Sequence, residues 1–361
     1  MAEPLKNLYS TAYIQKVCVA CAREIEQFDA VTFQNQVFDE VWESRELKSR
    51  TRHLATVIGR FIPGNYAQKI ETLERISRGF SGYPSIFFSD FIEVYGLEEP
   101  HISIPALATF TPICSSEFAI RPFLIRYQQL TMEAVLDWAK SDNAHVRRLA
   151  SEGIRPRLPW GQDVPWIKKN PSEVLPVLEL LKNDPSEYVR RSVANNLNDI
   201  SKSHPSLVIE LAQRWKGIST ETDKLLKHAL RGLLKKGNSD ALALFDFVPV
   251  QLSIHRFELD RNRLKIGEKL GFNIALRMDS PTQKIRLEYV VHYQKANGSK
   301  SPKVFQLTET VLALGEELKT HRHHAFANLS TRIHYPGTHE IHLHINGRSV
   351  AQLEFMLEPN N

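Results

Sequence analysis

The spacing of apolar residues divides the chain into a helical part and a strand-forming part. Up to about residue 245, segments such as "DEVWESRELKSRTRHLATVIGRF" and "PSEVLPVLELLKND" place apolar residues three and four positions apart, as in an amphipathic helix. After "FDFVPV" the period changes to two, as in "KIRLEYVVHYQKANG". We therefore predict a mainly α domain at residues 1–246 and an all-β domain at residues 247–361.

The helical part contains an internal repeat. "DNAHVRRLASE" at 142–152 resembles "DPSEYVRRSVANN" at 184–196, and a weaker third copy is "DKLLKHALRGLLKKG" at 223–237. The Val-Arg-Arg triplet recurs after 43 residues (146 to 189), within the roughly 40–47 residues of HEAT and armadillo repeats. Helix pairs of this kind stack into a curved solenoid with an extended binding surface. We predict a HEAT-like α-solenoid in which an aspartate caps the helix of each copy.

The strand-forming part has the size and regularity of an antiparallel sandwich. Asn346-Gly347 separates two alternating runs, which predicts a tight hairpin turn. "YPGTHEIHLHING" resembles the corner-and-strand pattern of immunoglobulin-like domains, without their Cys–Trp–Cys framework. His342 and His344 share one strand face, opposite Ile341 and Leu343, and we predict that this face is exposed to solvent; contact with a metal ion or with DNA is the alternative. The other histidines nearby in sequence are His321, His323, His324, His334 and His339.

Composition describes an ordinary globular protein. Of the 361 residues, 42% are hydrophobic and 24% are charged, and no apolar run approaches the length that spans a bilayer. The first residues lack a basic stretch followed by an apolar one, so we expect a cytoplasmic protein. The net charge of +5 and the pI of about 9.0 point mildly to a polyanionic partner.

The three cysteines predict neither disulfides nor a metal site. Cys18 and Cys21 form a C-x-x-C, but the N-terminal half offers no second pair or histidines at zinc-ligand spacing. Their spacing within an apolar helical run indicates a packed face. We expect no metal and no cofactor.

One carboxylate lies among several arginines in "HVRRLASEGIRPRLPW" at 145–160. On a helix that begins near Ala144, Glu152 falls on or beside the polar face. An Arg148–Glu152 pair on a solvated helix would explain the charges, although such pairs contribute only about 0.2–0.5 kcal/mol. The other interpretation is a site that holds an anion while its carboxylate acts on a cationic group.

A second segment favours the site. "SSEFAIRPF" at 115–123 repeats the Ser-Glu and Ile-Arg-Pro elements of "ASEGIRPRL" at 150–158, which places Glu117 and Glu152 in similar local frames. Equivalent positions of successive repeats lie side by side in a solenoid, so we expect both carboxylates to face one groove. Arginines in such a groove bind phosphates, and carboxylates among them would repel DNA unless they act on a cationic sugar or base.

On these residues the chain resembles the AlkC branch of the HEAT-like DNA alkylation repair glycosylases, relatives of AlkD. The most specific segments are "ASEGIRPRLPW" and "VRRSVANNLNDISK", and one AlkC subgroup also carries an immunoglobulin-like domain. The resemblance implies a monofunctional glycosylase that hydrolyses the N-glycosidic bond of cationic alkylated bases such as 3-methylcytosine and 3-methyladenine, without base flipping. It further implies a monomer that acts on duplex DNA at the bacterial nucleoid.

The resemblance also implies site residues. Glu117 and Glu152 would stabilise an oxocarbenium-like sugar and position water. Trp160 is expected either to pack against the cationic nucleotide or to lie in the core, and both interpretations stay open. Asp199 is a further catalytic candidate. The predicted DNA-binding residues are Arg121, Arg147, Arg148, Arg155, Arg157, Arg190, Arg191 and Lys202. The alternative function is a HEAT adaptor without enzymatic activity that binds nucleic acid or an acidic protein.

Overall fold

The computed structural model describes residues 4–329 and 332–360. Contacts divide the chain into two compact units, the first ending at Ala229 and the second beginning at Leu230. Within the described residues, none of the helices combines the length and apolar character needed to cross a membrane.

The first unit is α-helical. Its helices are α1 (Thr11–Glu24), α2 (Ala30–Val37), α3 (Leu47–Phe61), α4 (Tyr66–Ile76), α5 (Phe87–Tyr95), α6 (Pro100–Phe110), α7 (Arg121–Arg126), α8 (Gln128–Trp138), α9 (Ala144–Glu152), α10 (Pro165–Lys169), α11 (Leu175–Leu181), α12 (Glu187–Ile200), α13 (Pro205–Trp215) and α14 (Thr220–Ala229). Cys18 and Cys21 are buried in α1, as the spacing of the C-x-x-C predicts.

The three copies of the sequence repeat contribute α9, α12 and α14, which lie side by side. Helix α9 packs against α12, and α12 packs against α14. Val146 and Val189, equivalent in the first two copies, are both buried, as expected for the core positions of a stacked repeat. The predicted HEAT-like α-helical architecture is therefore confirmed for this part of the chain.

The predicted aspartate caps are wrong for the first two copies. Asn143 caps α9, because its side chain accepts a hydrogen bond of 2.8 Å from the backbone N–H of His145. In the second copy Ser186 occupies the N-cap position, and Asp184 accepts a hydrogen bond of 2.8 Å from its N–H. Each aspartate therefore lies ahead of the cap position, and Asp184 holds its turn through this hydrogen bond.

An arginine in each of these copies binds the turn before its own helix. Arg147 Nη1 donates to the carbonyl oxygens of Ser141 and Asp142, at 2.8 and 2.9 Å. Arg190 Nη1 repeats this contact with the carbonyls of the residues six and five positions earlier, at 2.7 and 2.9 Å. The first arginine of each Val-Arg-Arg triplet thus satisfies backbone acceptors that a turn leaves without a helical partner.

The second unit is a two-sheet β-structure preceded by two short helices, α15 (Arg231–Lys235) and α16 (Ser239–Ala243). Its strands are β1 (Leu252–Leu259), β2 (Arg263–Lys265), β3 (Lys269–Met278), β4 (Gln283–Gln294), β5 (Lys300–Leu312), β6 (Glu317–Ala325), β7 (Gly337–Ile345) and β8 (Arg348–Glu358). One sheet has the order β1-β3-β6 and the other β2-β8-β7-β4-β5. Strand β2 pairs parallel with β8, and the other pairs are antiparallel.

The alternating residues enter one hydrophobic core, as their period predicts. From β4 the core takes Ile285, Leu287, Tyr289, Val291 and Tyr293, and β7 and β3 supply further apolar side chains. The β7–β8 connection is the predicted tight turn, with positive φ angles of 47° at Asn346 and 78° at Gly347.

The boundary between compact units lies before the predicted residue 246, because α15 and α16 pack with the strands. Gly237, between these helices, approaches the β7–β8 turn so closely that a Cβ there would lie 2.8 Å from the carbonyl oxygen of Gly347. After α16, the carbonyl of Phe245 accepts a hydrogen bond of 3.0 Å from Lys284 Nζ of β4. The change of period thus marks the first strand and not the division between units.

Candidate active site

Arg148 joins the two predicted catalytic glutamates. Its Nη1 forms an ion pair with Oε2 of Glu117, and its Nη2 lies 3.4 Å from Oε1 of Glu152. Ser115 accepts a hydrogen bond of 2.6 Å from Arg148 and donates one of 2.8 Å to Glu117. Burial alone would lower the pKa of the Arg148 guanidinium, but the two carboxylates favour its charged form, and the net effect raises the pKa.

Glu152 is held by three side chains at the end of α9. Oε1 also accepts a hydrogen bond of 2.7 Å from Arg155 Nη1, and Oε2 accepts one of 2.7 Å from the hydroxyl of Ser192 on α12. The residue is only 4% exposed, although its position in α9 predicts a place on or beside the polar face of the helix. Helical periodicity could not show that the neighbouring repeat covers this face.

Arg155 connects Glu152 to the third predicted acid. Asp199 on α12 accepts hydrogen bonds from Arg155 Nε at 2.9 Å and from Lys202 Nζ at 2.9 Å. Asp199 is 2% exposed and lies behind Arg155. Its observed contacts therefore place it as a support for Arg155. The network contains three carboxylates, two guanidinium groups and one ammonium group, and it is neutral as a whole.

The two glutamates line one cleft of about 310 Å³. Its wall is partly charged and partly apolar, and the lining residues include Tyr83, Glu117, Phe118, Glu152, Arg155 and Trp160. The side chain of Glu117 is 16% exposed and that of Glu152 is 6% exposed. Both carboxylates thus border the same space, and Glu117 is the more accessible to solvent.

Trp160 is a surface residue at the edge of this cleft. It is 63% exposed, which decides against the core tryptophan that the sequence left open. Its φ of 63° lies in the left-handed region, which a bulky residue adopts only at a cost of about 1–3 kcal/mol. Lys48 of α3 donates a hydrogen bond from Nζ to the Trp160 carbonyl and lies 4.8 Å from the ring centroid of Phe118.

Four of the predicted DNA-binding arginines have their guanidinium groups engaged within the protein, and their contact with DNA stays a prediction. Arg121 is 1% exposed and donates to the carbonyls of Gln162, Gly153 and Arg155, at 2.6 to 2.9 Å. Burial lowers its pKa to about 10. The other three are Arg155, in the network above, Arg147, which pairs with Asp184 at 2.6 Å and binds its own turn, and Arg190, which binds its own turn.

Arg148 is also bound to protein carboxylates, so the exposed cations among the predicted residues are Arg157, Arg191 and Lys202. Arg157 Nη2 donates a hydrogen bond of 2.9 Å to Ser203 at the surface. The side chain of Arg191 is 65% exposed and that of Lys202 is 47% exposed. A groove of about 540 Å³ lies between α12 and α14, and its basic lining residues are Arg190, Arg191, Lys224 and His228.

Sequence reasoning missed four side chains that organise the site. Ser115 and Ser192 lie inside the recognised segments "SSEFAIRPF" and "VRRSVANNLNDISK", and their hydroxyl groups were the available signal. Tyr188 lies one residue before the second Val-Arg-Arg triplet, and its ring is 5.1 Å from the Arg148 guanidinium. Lys48 lies 112 residues before Trp160, and no local pattern connects the two.

Comparison with known proteins places the site in a recognised family segment. A family model described as "DNA alkylation repair enzyme" matches residues 114–231, and one described as "Uncharacterised protein YhaZ, C-terminal Ig-like domain" matches residues 253–359. The chain is 40% identical over 354 residues to the uncharacterized protein YhaZ of Bacillus subtilis (strain 168), covering 98% of this chain and 99% of that protein.

A solved structure is similar over the whole chain. It is that of Pseudomonas fluorescens alkylpurine DNA glycosylase AlkC bound to DNA containing an abasic site analog. The TM-score is 0.95 at 33% sequence identity, and the match covers 99% of this chain and 100% of that chain.

Proposed function

Because the chain belongs to the AlkC-type family of DNA alkylation repair enzymes with a C-terminal immunoglobulin-like domain, we propose that it is a DNA glycosylase that excises alkylated bases. Its substrates are bases that alkylation has made cationic, such as 3-methylcytosine and 3-methyladenine, in duplex DNA. Support comes from the alkylpurine DNA glycosylase activity of the AlkC relative, and from the abasic site analog in the DNA bound to it.

The observation that carries this proposal is the pair of glutamates held by Arg148 beside one cleft. A positive charge on the base weakens the glycosidic bond, and the electron pair of that bond leaves with the base, which becomes neutral. The sugar then carries the positive charge. Carboxylates that are fixed beforehand stabilise this charge without reorganising during the reaction.

The surroundings of the two glutamates support different roles. Glu152 is the more buried and is fixed by Arg155 and Ser192, so we assign it to electrostatic stabilisation of the sugar. Glu117 is more exposed, so we assign it to position the water that attacks C1′ and to accept its proton. The bond between water oxygen and C1′ completes hydrolysis, and no amine nucleophile is required.

Trp160 supports recognition of a nucleotide that stays in the helix stack. Its exposed ring at the cleft edge can pack against a cationic nucleotide, and the attraction contributes about 0.5–2 kcal/mol. Because the glutamates border a surface cleft, the scissile bond can reach them without extrusion of the base. We therefore propose excision without base flipping.

Release of methylated bases tests the proposal directly. The purified full chain is incubated with duplex DNA alkylated by a methylating agent, and the freed 3-methylcytosine and 3-methyladenine are quantified by chromatography. The matched control is the Glu117→Gln/Glu152→Gln double variant, which keeps the size of both side chains. If the wild-type chain binds this DNA but frees no base above the control, the adaptor function replaces the glycosylase.

A further inference from the structure

Three potential metal ligands meet on the second unit, far in sequence from the candidate active site. Asp260 follows β1, and His321 and His323 lie two residues apart on β6, an edge strand of the three-stranded sheet. One ligand atom from each residue lies within 4.8 Å of the other two. Strand β3 lies between and fixes their positions, since Gly271 pairs with His323 and accepts a backbone hydrogen bond of 2.9 Å from Asp260.

Gly271 keeps the space between these side chains open. A Cβ at this position would lie 1.9 Å from Oδ2 of Asp260 and 3.2 Å from Nε2 of His321. The residue lies inside β3, where its neighbours adopt ordinary strand conformations and a side chain would normally strengthen the sheet. The missing side chain therefore leaves room for the ligand atoms to converge.

The carboxylate of Asp260 is oriented by a neighbouring amide. Asn273 Nδ2 donates a hydrogen bond of 2.9 Å to Oδ1, and His321 Nε2 lies 2.9 Å from Oδ2. The rings of His321 and His323 are 4.5 Å apart at an angle of 82°. Metal-binding carboxylates are commonly held in this way by a polar partner that fixes the direction of the ligand oxygen.

An ordinary ion pair explains less of this arrangement. An exposed histidine–aspartate pair contributes little to stability and needs neither a second imidazole nor an adjacent glycine. Two imidazoles and one carboxylate form the donor set that binds divalent first-row transition metals such as Zn²⁺, whereas Mg²⁺ and Ca²⁺ prefer oxygen ligands. A second histidine group on the other sheet, His292 with Glu340 and His342, is less suited because Lys300 already pairs with Glu340.

We propose that Asp260, His321 and His323 bind one divalent transition-metal ion of the Zn²⁺ class. The ion would join the end of β1 to the edge strand β6 and would keep coordination positions open to solvent, since all three ligand residues are exposed. This site is independent of the proposed glycosylase reaction.

The experiment uses the full chain after treatment with a chelator and dialysis into metal-free buffer near neutral pH. Zn²⁺ is titrated calorimetrically, and Co²⁺ is added in parallel because its visible absorption reports nitrogen ligands. The expected result is one Zn²⁺ per chain, with affinity reduced at least tenfold in Asp260→Asn, His321→Ala and His323→Ala. Mg²⁺ should not compete.

Gly271→Ala is the sharpest variant, because it retains every ligand and only fills the space between them. It should lose Zn²⁺ binding, while His255→Ala, which removes another exposed histidine, should retain it. Thermal unfolding without metal shows whether each variant is folded. If Gly271→Ala does not fold, the variants of the three exposed ligand residues still test the proposal. The proposal is overturned if the wild-type chain binds no Zn²⁺, or if His342→Ala removes the binding and His321→Ala does not.

Discussion

The hydroxyl of Ser192 donates a hydrogen bond of 2.7 Å to Oε2 of Glu152, across the contact between α12 and α9. Ser151 in turn donates a hydrogen bond of 2.7 Å to Ser192. The orientation of the buried glutamate thus depends on the packing of two successive repeats. A residue of the second repeat thereby takes part in the site formed by the first.

Ser192→Ala should slow base excision about tenfold and leave binding to undamaged DNA unchanged. The variant removes a donor to Glu152 but no charge, so the carboxylate becomes less well fixed at the moment when charge develops on the sugar. Single-turnover excision and DNA binding are the two measurements. Ser192→Thr keeps the hydroxyl and should restore most of the rate. Equal loss in both variants would point to a packing defect and contradict a positioning role.

Glu117→Gln and Glu152→Gln should each reduce the excision rate about 10²–10³-fold. DNA binding should stay the same or become slightly tighter, because a negative charge beside phosphates is removed. The double variant should lose less than the product of the single losses, since both carboxylates act on one transition state. Wild-type excision rates in both single variants would exclude the assignment.

The same two variants should differ in stability. Glu152→Gln weakens buried contacts with Arg155 and Arg148, which we expect to lower the free energy of unfolding by about 1–3 kcal/mol. Glu117 is more exposed, so its variant should unfold at nearly the wild-type temperature. Thermal unfolding of the two proteins side by side checks the difference. A larger loss in Glu117→Gln would contradict the burial of the network.

Trp160→Ala should reduce excision of cationic bases about tenfold without lowering the unfolding temperature, because the ring is exposed at the cleft edge. Trp160→Phe should retain most of the activity. Trp160→Gly distinguishes the effect of the backbone conformation from that of the ring, because glycine adopts the left-handed φ without strain and also lacks the aromatic face. The glycine variant should be at least as stable as the alanine variant and equally slow. Full activity in either would remove Trp160 from the site.

Local patterns were sufficient for the elements of the fold but not for its boundaries. Asn346-Gly347 predicts its turn because the positive φ values are a property of those two residues. Residues 230–246 belong to the second unit, and within them Gly237 packs against Gly347, a contact between distant segments that no window of sequence contains. Distant packing also decides which face of α9 is covered, which is why Glu152 is buried.

For the candidate site, the sequence predicted which residue types take part, but not which groups each side chain contacts. Arg121 and Arg155 occupy matching places in two similar segments, each after an isoleucine and before a proline. The first binds backbone carbonyls and the second binds two carboxylates. Their different roles follow from the segment that each meets in space.

Arg121→Met should therefore destabilise the protein, whereas Arg191→Ala should weaken DNA binding. Methionine leaves three carbonyl groups without their donor, and we expect a loss of about 3 kcal/mol or more in stability. Arg191 is exposed, so its loss should leave the unfolding temperature unchanged and reduce the slope of log affinity against log salt by about 0.9 if it contacts one phosphate. A stable Arg121→Met with weaker DNA binding would reverse these roles.

The β-unit should lose stability as the pH falls from about 6.5 to about 4. Burial lowers the pKa of His324 to about 4. Its two ring nitrogens form hydrogen bonds of 2.9 and 2.7 Å with the hydroxyls of Tyr289 and Tyr293. The unfolded chain binds a proton in this range and the folded chain does not, so stability rises with pH there, by about 3 kcal/mol in total. The other charged or titratable groups acting on His324 are Arg332, His334 and Lys303.

His324→Gln tests this pH dependence, because glutamine keeps a donor and an acceptor but does not titrate. Unfolding of the full chain is followed at several pH values for both proteins. As the pH falls, the free energy of unfolding should decrease less in the variant than in the wild-type protein. Part of the decrease should remain, because burial also lowers the pKa of His334 and His339. If the free energy of unfolding depended on pH in the same way in both proteins, His324 would bind a proton as readily in the folded protein as in the unfolded chain.

The arginine that binds the turn before its own helix also limits how the length of the chain can vary. Arg147 and Arg190 each reach carbonyl groups five and six positions earlier. A residue inserted between the arginine and these carbonyls would move the acceptors away from a guanidinium anchored in the helix. Insertions that arise in evolution should therefore be eliminated at these two turns and accumulate in other connections. The two arginines therefore fix the number of residues between each turn and the helix that follows it.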